Sequence, residues 1–221
     1  MQDVRKRLAA ALCAALLGLT LSCCSAPDTA PAGPAAPEAT PAPAEPSAPA
    51  FSDGERTLDI LHRLGEAPLC LKLSTDSETL FFSGELTLYT DGENAACFLE
   101  TDGEKLETLL TDGDEWVVRY EDNTCYKSGD GYMASLLENL RALAGAEGYV
   151  FDCGEMIWDG TGFDYESFMD GERNVTALFA PGRAELRLVL VDREPVEVLE
   201  ISREIPDGVF SLPDGFSVIH P

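Results

Sequence analysis

The dipeptide Asp-Gly occurs nine times in 221 residues, and its placement constrains the fold more than any other feature of the chain. Aspartate bonds its own backbone and glycine accepts positive φ, so the pair closes tight hairpin turns. Turns at Asp91-Gly92, Asp102-Gly103 and Asp112-Gly113 follow at intervals of ten or eleven residues, and Asp159-Gly160, Asp170-Gly171 and Pro181-Gly182 keep an interval of eleven. That spacing leaves one strand between turns and predicts two antiparallel meanders. Between the turns apolar residues alternate with others at Leu86 and Leu88, at Trp116, Val118 and Tyr120, at Val175, Ala177 and Phe179, and at Leu186, Leu188 and Leu190. Period-two alternation predicts a sheet with one apolar face. Strands are expected near 69–74, 79–90, 94–101, 104–111, 115–121, 124–128, 148–153, 162–169, 173–180, 184–192 and 196–205.

Two helices accompany the strands. Ser52-Asp53-Gly54-Glu55 reads as a capping box that opens a helix with Leu58, Leu61 and Leu64 on one side, before Gly65 and Pro68. A second helix is expected from about Gly131 to Ala144, with Met133, Leu136, Leu137, Leu140 and Leu143 in one stripe. Such a stripe suits a helix that closes the core or a lid over a cavity. The predicted fold class is mainly β (α+β): a curved antiparallel sheet or unclosed barrel of about 11 strands, with an N-terminal helix and one inserted helix.

Ahead of this domain stand two segments of different character. Arg5, Lys6 and Arg7 precede an uncharged run from Leu8 to Ser22, the layout of a secretory signal. The run is too short for a membrane span, which needs about twenty apolar residues. Leu19-Thr20-Leu21-Ser22 before Cys23 resembles the lipobox of bacterial lipoproteins, which makes Cys23 the lipidation site, with Cys24 as the alternative. Residues 26–50 hold eight prolines and ten alanines, a composition that favours extended polyproline II over any packed core. The expected organisation is a signal peptide over 1–22, a lipidated cysteine and Pro/Ala-rich stalk over 23–50, and one domain over 51–221. Partnership with the membrane would run through the lipid anchor, on the extracytoplasmic face of the cell membrane.

Charge narrows the partners. Forty acidic against fifteen basic residues give −25, and from Phe51 onward twelve basic face 36 acidic residues, −24. A chain so acidic has no cationic surface for phosphates, which excludes nucleic acid and leaves a cationic protein as a possible macromolecular partner.

Motifs that carry chemistry are mostly missing. With His62 and His220 as its two histidines, the chain has no His-Glu-x-x-His, no phosphate loop, no Gly-x-Ser-x-Gly elbow and no Cys-x-x-Cys. Asp112, Asp114 and Glu115 offer oxygen ligands for calcium but lack the spacing of an EF-hand loop, so a solvated acidic turn is the plainer reading. Cys70, Cys97, Cys125 and Cys153 match no zinc-ligand spacing, and in an exported chain they admit two disulfides in three connectivities, or half-buried thiols. No cofactor, metal or catalytic set is expected. Trp158, Phe163, Tyr165 and Phe168 around Glu166 suit core packing or contact with a ligand.

Two stretches carry a family resemblance. Phe163-Asp164-Tyr165-Glu166-Ser167-Phe168 through Asn174 to Leu190, and the ending Ile205-Pro206-Asp207-Gly208-Val209-Phe210-Ser211-Leu212-Pro213-Asp214-Gly215-Phe216, are similar to the late strands and the Phe-x-x-Pro-x-Gly close of the LolA-like and LppX-like lipoprotein carriers. The resemblance implies an unclosed antiparallel barrel with helices at its mouth and a cavity for acyl chains or another apolar ligand. Pattern alone then nominates Trp116, Met133, Leu137, Leu140, Phe163 and Phe179 as ligand contacts between sheet and helix. The alternative is a structural or protein-interaction module with a filled core and an acidic binding face.

Overall fold

The computed structural model describes residues 54–219 apart from 78, 81, 102–103, 146–151 and 171–172. The signal segment, Cys23, Cys24, the stalk and Ser52 lie outside the described residues. Helix α1 (Glu55–Gly65) precedes strands β1 (Leu69–Thr75), β2 (Gly84–Thr90), β3 (Ala95–Thr101), β4 (Glu104–Thr111), β5 (Asp114–Arg119) and β6 (Thr124–Ser128). Helix α2 (Tyr132–Leu143) follows, then β7 (Asp152–Trp158), β8 (Thr161–Asp170), β9 (Arg173–Phe179), β10 (Leu186–Val191), β11 (Glu194–Ser202) and β12 (Ser217–Ile219).

All twelve strands form one sheet in the order β12-β6-β5-β4-β3-β2-β1-β11-β10-β9-β8-β7, which is not closed into a barrel. Both predicted meanders are present, joined where β1 pairs antiparallel with β11. Several turns have the expected chemistry: Asp112 and Gly113 take φ of 52° and 79°, and Asp159 and Gly160 take 45° and 75°, the paired left-handed residues of a tight hairpin. Asp192 and Arg193 adopt the same geometry at 52° and 74° without a glycine.

The differences from expectation are local. The first strand of the second meander runs over Asp152–Trp158, past the expected end at 153, because it extends up to the Asp159-Gly160 turn; 148–151 lie outside the described residues. Strand β2 is confined to Gly84–Thr90 rather than 79–90. β12 is a twelfth strand and pairs parallel with β6, the one departure from antiparallel order. Helix α1 has Gly54 as its N-cap in a left-handed conformation (φ 82°), with no side-chain cap bond from that residue. Its buried residues are Arg56, Thr57, Ile60, Leu61 and Leu64, with Leu58 half-buried at the margin.

Apolar side chains occupy both faces of the sheet, not one. On the inner face, which bears the helices, Leu71, Leu73, Leu86, Leu88, Cys97 and Phe179 pack with α1 and α2. On the outer face Ala96, Leu109, Val118 and Cys125 form a second cluster with Trp116 and Tyr120. The chain after β11 crosses that face, and Val209, Phe210, Leu212 and Phe216 pack against the cluster, the Phe216 ring edge-on to Tyr120 at 5.4 Å. A sheet covered on both sides has no reason to keep one face polar. Helices α1 and α2 meet at Gly65, where a Cβ would run into the backbone of Ala144.

Candidate functional site

Helix α1 is held to the sheet by a buried ion-pair cluster. Arg56 places Nε 3.1 Å from Glu166 Oε1 and a terminal nitrogen 2.8 Å from Asp164 Oδ2, while its guanidinium carbon lies 4.7 Å from the centre of the Phe179 ring. The Thr57 amide donates to Glu166 Oε2 at 2.8 Å, and the Gly182 amide donates to Asp164 Oδ2 at 2.8 Å. Glu166 is 1% exposed. A carboxylate at the first turn of a helix satisfies an orphan amide and faces the positive end of the helix dipole. The acceptor for the Thr57 amide thus comes from β8, 109 residues along the chain.

Helix α2 repeats the device. Its N-cap is Gly131, again left-handed (φ 64°), and the Met133 amide donates to Glu115 Oε2 at 2.7 Å. Burial pushes the Glu115 carboxyl above its ordinary value, although the amide bonds of Met133 and Tyr132 pull the other way. This corrects the reading of the acidic turn at residues 112–115. Glu115 serves the helix and Asp114 pairs with Lys127. Among the described residues no group of three or more His, Cys, Asp or Glu could hold a metal ion.

A cavity of about 60 Å³ lies between α1 and the inner face of β1 and β8–β11. Ile60, Leu64, Phe168, Ala177, Phe179 and Val189 are among its lining residues, and Thr57 is the only lining residue with a polar side-chain atom. Water needs about 10–15 Å³ of such space together with several polar partners, so the site has room but little to hold a water.

The six nominated contacts do not assemble around it. Phe179 lines the cavity. Met133, Leu137 and Leu140 are buried to 4% exposure or less beneath α2, in the close-packed core rather than in the cavity. Trp116 pairs with Leu109 on the outer face. Phe163 also lies outside, with Met156, Trp158 and Tyr165 against Leu178, Leu188 and Leu190, because its neighbours Asp164 and Glu166 take the inner positions opposite Phe179 and Ala177. Missed by sequence reasoning were Arg56, Thr57 and Ala177. Their signal was faint: one polar pair at the start of an apolar helical stripe, and one small residue in a strand of larger ones.

The four domain cysteines are thiols and form no disulfide, the second of the two readings that the sequence left open. Cys70 pairs with Tyr89 and Tyr89 with Ala96, so Cys70 and Cys97 sit on opposite faces two strands apart. Cys125 on β6 and Cys153 on β7 lie toward opposite ends of the sheet. Strands are spaced about 4.8 Å apart and a disulfide needs Cβ atoms within about 4.5 Å, so none of these pairs can bridge. Burial raises the Cys70 and Cys125 thiols and pushes Cys97 up to about 12. Such thiols stay protonated and inert. His62 is half-buried on α1.

No protein-family model and no curated protein matches the chain. Among solved structures it is similar to an uncharacterized conserved protein from Thermus thermophilus, at 15% identity and a TM-score of 0.42 over 74% of this chain and 96% of that one. It is also similar to PNGF-II at 9% identity and a TM-score of 0.32, over 69% of this chain and 30% of that one. Likenesses of this degree carry no argument about function.

Proposed function

We propose that this chain is an extracytoplasmic lipoprotein, anchored through Cys23, whose domain binds one slender apolar ligand under α1 without catalysis. The observation that carries the reading is the cavity of about 60 Å³ with an apolar lining broken only by Thr57. An open sheet with helices on its inner face is also the arrangement implied by the resemblance to LolA-like and LppX-like carriers. The cavity falls short of the several hundred cubic ångströms of a typical ligand pocket. In this state it therefore suits the end of a single chain.

The test is to purify the full protein from its own host and to extract and identify what accompanies it by mass spectrometry. A non-covalent apolar molecule is expected with the wild type and should be absent from Ala177→Leu, which fills the cavity. If the wild type carries none and does not bind n-hexane in a thermal-shift titration, the reading fails. Loss of palmitate labelling in Cys23→Ser tests the anchor separately.

A second reading is favoured by the close packing under α2 and by the charge of −24 beyond Phe51. It is a structural module that meets a cationic protein through its acidic surface, and it predicts salt-sensitive association with no apolar ligand.

A further inference from the structure

Thr57 is unusual among the fifteen residues that line the cavity. Its side chain is more than nine-tenths buried, and its Oγ1 has no hydrogen-bond partner among the described residues. Its amide is already engaged by Glu166 at 2.8 Å. A buried hydroxyl without a partner is costly and uncommon, since valine has nearly the same shape and avoids the loss. At a cavity wall the natural partner is an atom of the ligand.

We infer that the ligand is an uncharged amphiphile: an alkyl chain whose terminal hydroxyl, or ester or amide carbonyl, hydrogen-bonds Thr57 Oγ1. The inference rests on the cavity reading proposed above. A hydroxyl is both donor and acceptor, so it accepts either head group. The charge beside Thr57 argues for neutrality. Arg56 is shared between Asp164 and Glu166, which leaves the cluster with one net negative charge. A carboxylate head would meet that surplus in a poorly hydrated site. An ammonium head would bring three donors to a single acceptor, with no carboxylate among the lining residues to pair with it. The site thus separates fatty alcohols and neutral acyl esters from fatty acids and alkylamines.

The experiment uses the full chain carrying Cys23→Ser and Cys24→Ser, so that no covalent acyl group competes, and titrates it with n-hexane, 1-hexanol and hexanoate at pH 8. The expected order is 1-hexanol tightest, with n-hexane weaker by two- to tenfold, the span of one net hydrogen bond. Hexanoate should be weakest. Thr57→Val should bring 1-hexanol to the affinity of n-hexane or below, because its hydroxyl is then unpaired, while n-hexane still binds, which also shows that the variant is folded. Thr57→Ser should keep the preference. Equal binding of hexanol and hexane by the wild type, tighter binding of hexanoate than of hexanol, or a hexanol preference that survives Thr57→Val overturns the inference and leaves the cavity reading standing. Failure of all three probes overturns both.

Discussion

Replacing Glu166 with alanine tests whether α1 is held by buried electrostatics. In the native protein the Arg56 and Glu166 side chains are 9% and 1% exposed, so removal of Glu166 leaves a guanidinium desolvated on one side. Breaking a buried pair by deleting one partner costs about 3–5 kcal/mol. Asp164 stays 2.8 Å from Arg56, which draws the electrostatic loss to the lower end. The uncapped Thr57 amide adds about 1 kcal/mol, for a net loss of about 3–4 kcal/mol. For a domain of this size the melting temperature should fall by about 6–16 °C. Urea and thermal unfolding of the full chain, followed by circular dichroism, measure both quantities. Glu166→Gln keeps a carbonyl oxygen for the Thr57 amide but not the charge, and should fall between wild type and alanine. Lys72→Ala is the control: the Lys72–Glu200 pair has side chains 38% and 33% exposed, so its loss should cost less than about 1 kcal/mol. If Glu166→Ala costs no more than Lys72→Ala, the cluster does not secure the helix.

Four further outcomes are expected. Leu137→Ala, at a position 4% exposed under α2, should cost about 2–5 kcal/mol and leave n-hexane binding unchanged; lost binding with native stability would make α2 the lid. Burial raises the Glu107 and Glu115 carboxyls above their usual 4.5, so the folded state holds these protons more tightly than the unfolded chain. Their stabilisation is full below the unfolded value and is lost as pH rises through the folded values, so low-salt melts should be higher near pH 5 than near pH 8, and a steady rise over that interval would refute the assignment. Of the four domain cysteines an aromatic disulfide reagent should modify Cys153 first, within minutes, with Cys70, Cys97 and Cys125 reacting only in denaturant; prompt reaction of Cys97 would contradict its burial. Phe216→Ala should cost about 1–2 kcal/mol and shift Trp116 emission to the red, because the C-terminal segment would loosen from the outer face.

What the sequence made legible was whatever its neighbours in sequence determine. The hairpin from β4 to β5 could be placed because Asp112-Gly113 fixes its own turn, and α2 because Met133, Leu136, Leu137, Leu140 and Leu143 share a helical stripe. Parity along a strand was likewise readable. It says that Trp116 and Val118 point together, but not toward which side, and that ambiguity put Trp116 in the wrong layer. The cavity was misplaced for a related reason: the stripe on α2 marks burial, and nothing in a leucine stripe distinguishes a packed floor from an empty one. Caps drawn from remote strands leave no local trace, which is why Glu166 and Glu115 read as ordinary acids. The three residues of β12 carry no strand signature of their own and pair because the preceding turn delivers them beside β6.

The seam between β1 and β11 has a consequence for the order of assembly. Within each meander every strand pairs with its sequence neighbour, so both halves form from short loops that close quickly. Cys70 must wait for Ser202 before the halves join. Synthesis runs from the N-terminus, so α1 emerges first of the described elements, yet the carboxylate that caps α1 is in β8 and much of its cavity floor is in β8–β11. Until the second meander arrives, Ile60, Leu61 and Leu64 lack the wall that β8–β11 supply, and the first helix to emerge is among the last to settle. The joining step closes the longest loop and is thus the slow one, and during it the apolar side of α1 stays uncovered.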